Sequence, residues 1–213
     1  MSEKTKSPPS RRQHQTWSDL LAANSAHLQS ASAAQTQAWI EWLATHAQYA
    51  VTLQSRIDSD GLTEAQLDRK RQQIVKELNW LLPRLNQALT SNGWKRKANL
   101  KPLFAATTQT GFIRGESHSM QGERKTMHVH AILGNVEDNF TLEDIQTIFR
   151  DLWTRTSIGV DDVDVRPLIK GSEAGWGRYM ARDLACYAHR NTADFSTFQV
   201  PPQIAELAQP LRF

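Results

Sequence analysis

Over residues 126–133 apolar and polar side chains alternate. Met127, Val129, Ala131 and Leu133 fall on one side of an extended chain, and His128, His130 and Ile132 on the other, which is the period of a β-strand. The same alternation predicts a strand over 49–54, with Val51 and Leu53 opposite Thr52 and Gln54, and another in which Val163 and Val165 oppose Asp164 and Arg166 up to Pro167. Leu103–Phe112 reads as a further strand. Elsewhere the spacing is helical. Leu67, Ile74, Leu78, Leu81, Leu85 and Leu89 form one stripe. Thr63–Gln66 is expected to open it as a capping box, the Thr side chain accepting from the Gln66 N–H while Gln66 reaches back. Pro83 predicts a kink in that helix and Asn92-Gly93 its end. A second helix is expected from Thr141, with Leu142, Ile145, Ile148, Phe149 and Leu152 on its stripe, and a third from Glu173 to Tyr187.

The resulting order is strand, helix, strand, strand, helix, strand, helix. Adjacent second and third strands imply an antiparallel hairpin joined by the polar, basic residues 113–125. The fold class expected is α+β: an antiparallel sheet with helices on one face and the other face open. Residues 17–47, with Trp17, Leu20, Leu21, Trp39, Trp42 and Leu43, predict a helical N-terminal extension. Residues 1–16 read as a disordered basic arm, 48–190 as the main domain, and 191–213 as a proline-bearing C-terminal tail with a short helix near Ile204.

Composition narrows the class. At 213 residues, 39% hydrophobic and 22% charged, the chain is long and apolar enough for one globular domain. No apolar run has membrane-spanning length, and 1–15 lacks the apolar core of a signal peptide; a cytoplasmic protein with no membrane partner is expected. The single Cys186 excludes an internal disulfide framework. The net charge of +3 is unevenly spread. Lys95, Arg96, Lys97, Lys101, Arg114, Arg124 and Lys125 crowd residues 91–125, a pattern suited to a polyanion.

Two constellations carry chemistry. His128 and His130, two apart on a strand, project from one face, a spacing suited to a pair of ligands on one divalent metal. An H-x-H pair alone is a weak signal, but on an apolar strand two imidazoles need a reason. Tyr179 lies in the third helix beside the packing stripe of Met180, Leu184 and Tyr187, and shares its face with Arg182, Asp183 and Cys186. A phenol with a guanidinium one turn away can attack and hold a phosphate.

Together these residues resemble the Rep-type branch of the HUH endonuclease superfamily, which includes rolling-circle replication initiators. That branch has a first-strand motif, similar to Ala50–Gln54; a His-hydrophobe-His motif on a third strand, similar to His128-Val129-His130; and Tyr-x-x-Lys on a late helix, similar to Tyr179-Met-Ala-Arg182. Order and element type agree over residues 49 to about 188. Arg182 stands where the family has Lys, a rigid fork in place of a point charge. The resemblance implies an RRM/ferredoxin-like nuclease core and a site-specific nick in single-stranded or hairpin DNA. Tyr179 would be the nucleophile, Arg182 its cationic partner, and His128, His130 and a third ligand would hold Mg²⁺ or Mn²⁺. Gln109 is the favoured third ligand, followed by Glu116, with His118 also in reach of the site by sequence.

The implied chemistry is a 5′-phosphotyrosyl intermediate that a later hydroxyl can reverse, in the replication of a plasmid, phage or mobile element. Lys95, Arg96, Lys97, Arg124 and Lys125 are the candidate DNA-phosphate contacts. Trp94 and Trp176 could stack on bases, although packing is the favoured role of both. No GxxxxGK[ST] motif is present, so unwinding would come from a host helicase or other replication proteins. Two alternatives stand beside this reading. One is a non-catalytic single-stranded nucleic-acid-binding module, which a Tyr179 distant from the histidines would favour. The other is a metal-dependent phosphodiesterase in which water attacks.

Overall fold

The computed structural model describes residues 33–90, 97–112, 125–182 and 194–207. All of them belong to one compact unit, Ala31–Phe213. The elements in chain order are α1 (Ala33–Ala44), β1 (Tyr49–Asp58), α2 (Glu64–Thr90), β2 (Leu103–Phe112), β3 (Lys125–Gly134), α3 (Leu142–Thr154), β4 (Gly159–Pro167), α4 (Glu173–Met180) and α5 (Pro202–Leu207). The strands form one antiparallel sheet in the order β2-β3-β1-β4. A β-α-β-β-α-β chain with this order is the ferredoxin-like arrangement, and β1 and β3 are its central strands.

Period-2 alternation decides the two faces. Val51, Leu53, Met127, Val129, Ala131, Leu133, Val163 and Val165 are buried on one of them. Against them lies the full expected stripe of α2, from Leu67 to Leu89, together with Ile145, Phe149 and Leu152 of α3. Each of these Val, Leu, Ile, Met and Phe side chains contributes about 1.5–3 kcal/mol by leaving water. Trp153, outside the expected stripe, is also fully buried, and its indole N–H donates to the Gln54 carbonyl at 2.5 Å. Leu142, expected on the stripe, begins the helix at 37% exposure and lies outside the core, while Ile148 is partly buried against it.

The caps follow local chemistry. At α3 the Thr141 hydroxyl accepts from the Asp144 N–H while the Asp144 carboxylate accepts from the Thr141 hydroxyl and backbone N–H. These bonds hold the Asp144 carboxyl below the usual carboxylate range. At α2 Gln66 reaches back as expected, accepting from the Thr63 N–H at 2.8 Å. The Thr63 hydroxyl, however, donates to that same Gln66 oxygen instead of accepting from the Gln66 N–H, which bonds the Thr63 carbonyl. The helix runs continuously through Pro83.

The opposite face, expected open, carries a layer of its own. Ile40, Leu43 and Ala44 of α1, Met180 and Ala181 at the end of α4, and Ile204 of α5 bury Leu103, Ala105 and Ile132. The physical reason is visible in the strands: this face is polar only over its middle and apolar at the Leu103 end, so that end must be covered. The N-terminal helix is therefore part of the same unit as the sheet. Helix α4 also stops at Met180, short of the expected Tyr187, with Ala181 as its C-cap. Residues 183–193 lie outside those described, as do 1–32 and 208–213, so the basic arm, the first half of the extension and the end of the tail do too. Before that, the tail pairs with the sheet: Phe104 and Gln199 exchange backbone bonds of 2.8 and 2.7 Å.

Gly177 sets how closely α4 meets α1. A Cβ there would lie 2.7 Å from Glu41 Cα and 3.1 Å from the Ile40 carbonyl, whereas a Cβ on Gly175 would meet nothing within 4 Å. Gly177→Ala is expected to lose about 1–3 kcal/mol by overpacking against backbone that cannot rotate aside. Gly175→Ala is expected to gain up to about 1 kcal/mol from helix propensity. Urea unfolding of the two variants separates the effects; equal shifts would contradict the docking geometry.

Candidate functional site

The polar middle of this second face is built in rows across the sheet. His128 lies opposite Gln54 of β1 on one side and Gln109 of β2 on the other; His130 lies opposite Thr52 and Thr107 in the same way. Because all six positions share strand parity, their side chains rise from the same face. Both imidazoles are buried, at 6% and 4% exposure. Their Nε2 atoms are 3.0 Å apart. His130 Nδ1 is 3.1 Å from the Thr52 hydroxyl, which fixes the ring from behind.

Helix α4 lays Tyr179 on this pair. The phenol ring centroid is 4.9 Å from that of His130, and the Trp176 ring is 5.3 Å from both. Trp176 is anchored through its indole N–H to the Ala131 carbonyl at 3.3 Å, a positioning contact to β3. The Arg182 guanidinium carbon sits 5.2 Å from the Tyr179 ring centroid. Tyr179 thus faces His130, and Arg182, past the end of α4, lies beside the Tyr179 ring.

The end of α4 is held by β2. A helix leaves its last carbonyls without intrahelical partners. Here Gln109 Nε2 donates to the Tyr179 and Met180 carbonyls, both at 2.9 Å, and the Thr107 hydroxyl donates to the Met180 carbonyl at 3.0 Å. The remaining amide atom, Gln109 Oε1, accepts from Arg182 Nη2 at 3.0 Å. Gln109 therefore neighbours His128 as its strand position requires, with its amide committed to the tyrosine-bearing helix and to Arg182.

The DNA-contact candidates are placed unevenly. Lys97 is exposed and opens a single 3₁₀ turn leading to the Leu103 end of β2, about 20 Å along the strand from Gln109 at a rise of about 3.3 Å per residue. The Lys125 backbone pairs with Phe112 at the other end of the hairpin. Lys95, Arg96 and Arg124 lie outside the described residues, as do Glu116, His118, Trp94, Asp183, Cys186 and Tyr187, and nothing is described of the Lys125 side chain. Trp176 packs on His130, in line with the packing role favoured for it.

Sequence reading placed Thr52 and Gln54 in the first-strand motif without giving either a role, and gave none to Thr107. Their signal was the polar phase of β1 and β2, which becomes meaningful only once those strands are known to flank β3. Beside Gln54 a cleft of about 270 Å³ opens between β1 and β4, lined by Gln54, Ser55, Arg56, Asp58, Thr126, Val160 and Asp162.

The donor set fits a divalent ion. Two ligands at right angles on an ion with bonds of about 2.1 Å lie about 3.0 Å apart, the separation found between the two Nε2 atoms. Among the described residues no third His, Cys, Asp or Glu joins the pair, so among them a further side-chain ligand would be an amide or hydroxyl oxygen. Among the described residues, too, no helix is long and apolar enough to cross a membrane. No protein-family model, curated protein or solved structure matches the chain.

Proposed function

We propose that this protein is a cytoplasmic enzyme that nicks and rejoins single-stranded or hairpin DNA through Tyr179, in the initiation of rolling-circle replication of a plasmid, phage or mobile element. The observation that carries the reading is the meeting of three side chains from distant parts of the sequence: His128, His130 and Tyr179, the last within ring contact of the second. A tyrosine remote from the histidines would have favoured a binding module. Packing alone asks for apolar groups at this position, not two buried imidazoles under a phenol.

In the reaction the Tyr179 oxygen bonds to the scissile phosphorus and the bond from phosphorus to the 3′ oxygen breaks. The phenolic proton is lost to solvent and the departing 3′ oxygen gains one. The downstream strand remains attached to Tyr179 by its 5′ phosphate. Reversal by a 3′ hydroxyl rejoins strands, because the phosphotyrosyl bond conserves the phosphodiester. Arg182 presents a fork of N–H donors beside the phenol for the phosphate oxygens. His128 and His130 would hold Mg²⁺ or Mn²⁺, which when bound polarises the phosphate and neutralises developing charge. Thr52 orients His130, and Gln109 with Thr107 fixes the helix end that carries the nucleophile.

The test is a library of single-stranded oligonucleotides of random sequence, labelled at the 3′ end and incubated with protein and Mn²⁺. After denaturing electrophoresis the label should travel with the protein. Cleaved strands with no protein-linked label would favour attack by water. Strand binding without cleavage in any metal would favour the non-catalytic module.

A further inference from the structure

The two histidines supply two ligands, and the sheet offers an amide on either side of them. We propose that Gln54, rather than Gln109, provides the third protein ligand of this metal site, through its side-chain oxygen. The inference rests on the metal-dependent reading above and assigns a metal role to the last residue of the first-strand segment Ala50–Gln54, which carries none in that reading.

Three observations carry it. First, Gln54 is the direct cross-strand partner of His128 on β1. Directly opposed residues in an antiparallel pair have Cβ atoms about 4.5–5.5 Å apart, well within the reach of a glutamine side chain. Second, Gln54 Oε1 is buried and has no hydrogen-bond partner among the described residues. A buried amide oxygen without a partner costs free energy, and a cation bound beside it would remove that cost. Gln109 Oε1, by contrast, already accepts from Arg182, and its Nε2 is divided between two carbonyls. Turning Gln109 toward a metal would break the bond to Arg182, and a cation beside that guanidinium would meet like charge. Third, the backbone around Gln54 is shaped for this direction. The register of β1 slips immediately after Gln54 against β3, and around it against β4. Such irregularities re-aim a side chain next to a site. The Trp153 indole pins the Gln54 carbonyl at 2.5 Å, which holds the backbone there.

A neutral amide oxygen with two imidazoles makes a weakly charged site. It leaves the ion most of its positive charge to act on a phosphate. The two glutamines then divide the work, Gln54 toward the metal and Gln109 toward the nucleophile's helix.

The experiment titrates the full-length protein with Mn²⁺, reading free ion from its electron paramagnetic resonance signal in the absence of DNA. The variants are Gln54→Ala, Gln54→Glu, Gln109→Ala, Glu116→Ala and His128→Ala, each checked for folding by circular dichroism. Gln54→Ala is expected to weaken Mn²⁺ binding at least tenfold, and Gln54→Glu to retain or tighten it because the carboxylate keeps the oxygen and adds charge. Gln109→Ala and Glu116→Ala are expected to stay within about twofold. If Gln54→Ala should fail to fold, Gln54→Glu still decides: weaker binding than wild type there would overturn the assignment. Loss of affinity in Gln109→Ala or Glu116→Ala but not in Gln54→Ala would move the oxygen to that residue and overturn it too. Loss in His128→Ala alone would leave the two imidazoles with water ligands only, and would again overturn it. No Mn²⁺ binding by the wild type would remove the metal reading itself, a separate outcome from the failure of Gln54.

Discussion

Tyr179→Phe should lose the protein-linked DNA band and at least about a thousandfold of strand cleavage, with single-strand binding nearly unchanged. The substitution removes one oxygen and keeps the ring. The contacts of that ring with His130 and Trp176 are aromatic, so packing survives and the melting temperature should shift little. The bonds that fix the end of α4 run through the backbone carbonyls of Tyr179 and Met180, which the substitution leaves in place. Tyr187→Phe is the control and should be nearly neutral. Loss of the covalent band in Tyr187→Phe but not in Tyr179→Phe would identify the other tyrosine as the nucleophile. Cleavage that survives both substitutions would point to water.

Replacement of either histidine carries the second large effect. His128→Ala and His130→Ala should each weaken Mn²⁺ binding by at least about 100-fold, above the range typical of residues that only orient a ligand, and should abolish cleavage. Both rings are buried and their Nε2 atoms lie 3.0 Å apart. Removing either leaves a void in the site and takes a partner from the other, so a stability loss of about 1–3 kcal/mol should accompany each variant. Calorimetric Mn²⁺ titration measured below the lowered melting temperature separates the two effects. Unchanged metal affinity in both variants would reject the site.

The comparison of the two histidines with the two glutamines shows where local pattern stops being informative. Alternation along 126–133 was enough to put His128 and His130 on one face and Met127, Val129, Ala131 and Leu133 on the other, because side-chain direction along a strand is a local property. The stripe from Leu67 to Leu89 was legible for the same reason, whereas Arg182 lies past the end of α4 and meets the Tyr179 ring from outside that helix. The polar phase of β1, Thr52 and Gln54, could be read too, but its meaning could not.

Which strand lies beside which is a property of the whole sheet. Both central strands must bury one face under α2 and α3, and the order β2-β3-β1-β4 satisfies this by pairing residues as distant in sequence as Gln54 with His128 and Thr52 with His130. Only that order sets Gln54 and Thr52 against the histidines. Only the covering of the Leu103 end by α1 and α4 brings Tyr179 down onto His130, since apolar residues such as Ala105 and Ile132 gain free energy there by leaving water. The amide of Gln109 likewise could not be read from a strand position, because the carbonyls it satisfies are exposed by the end of α4 at Met180. The sequence by itself determined the faces of the elements and the chemistry they carry; long-range burial and the completion of backbone hydrogen bonds decided which of those residues meet.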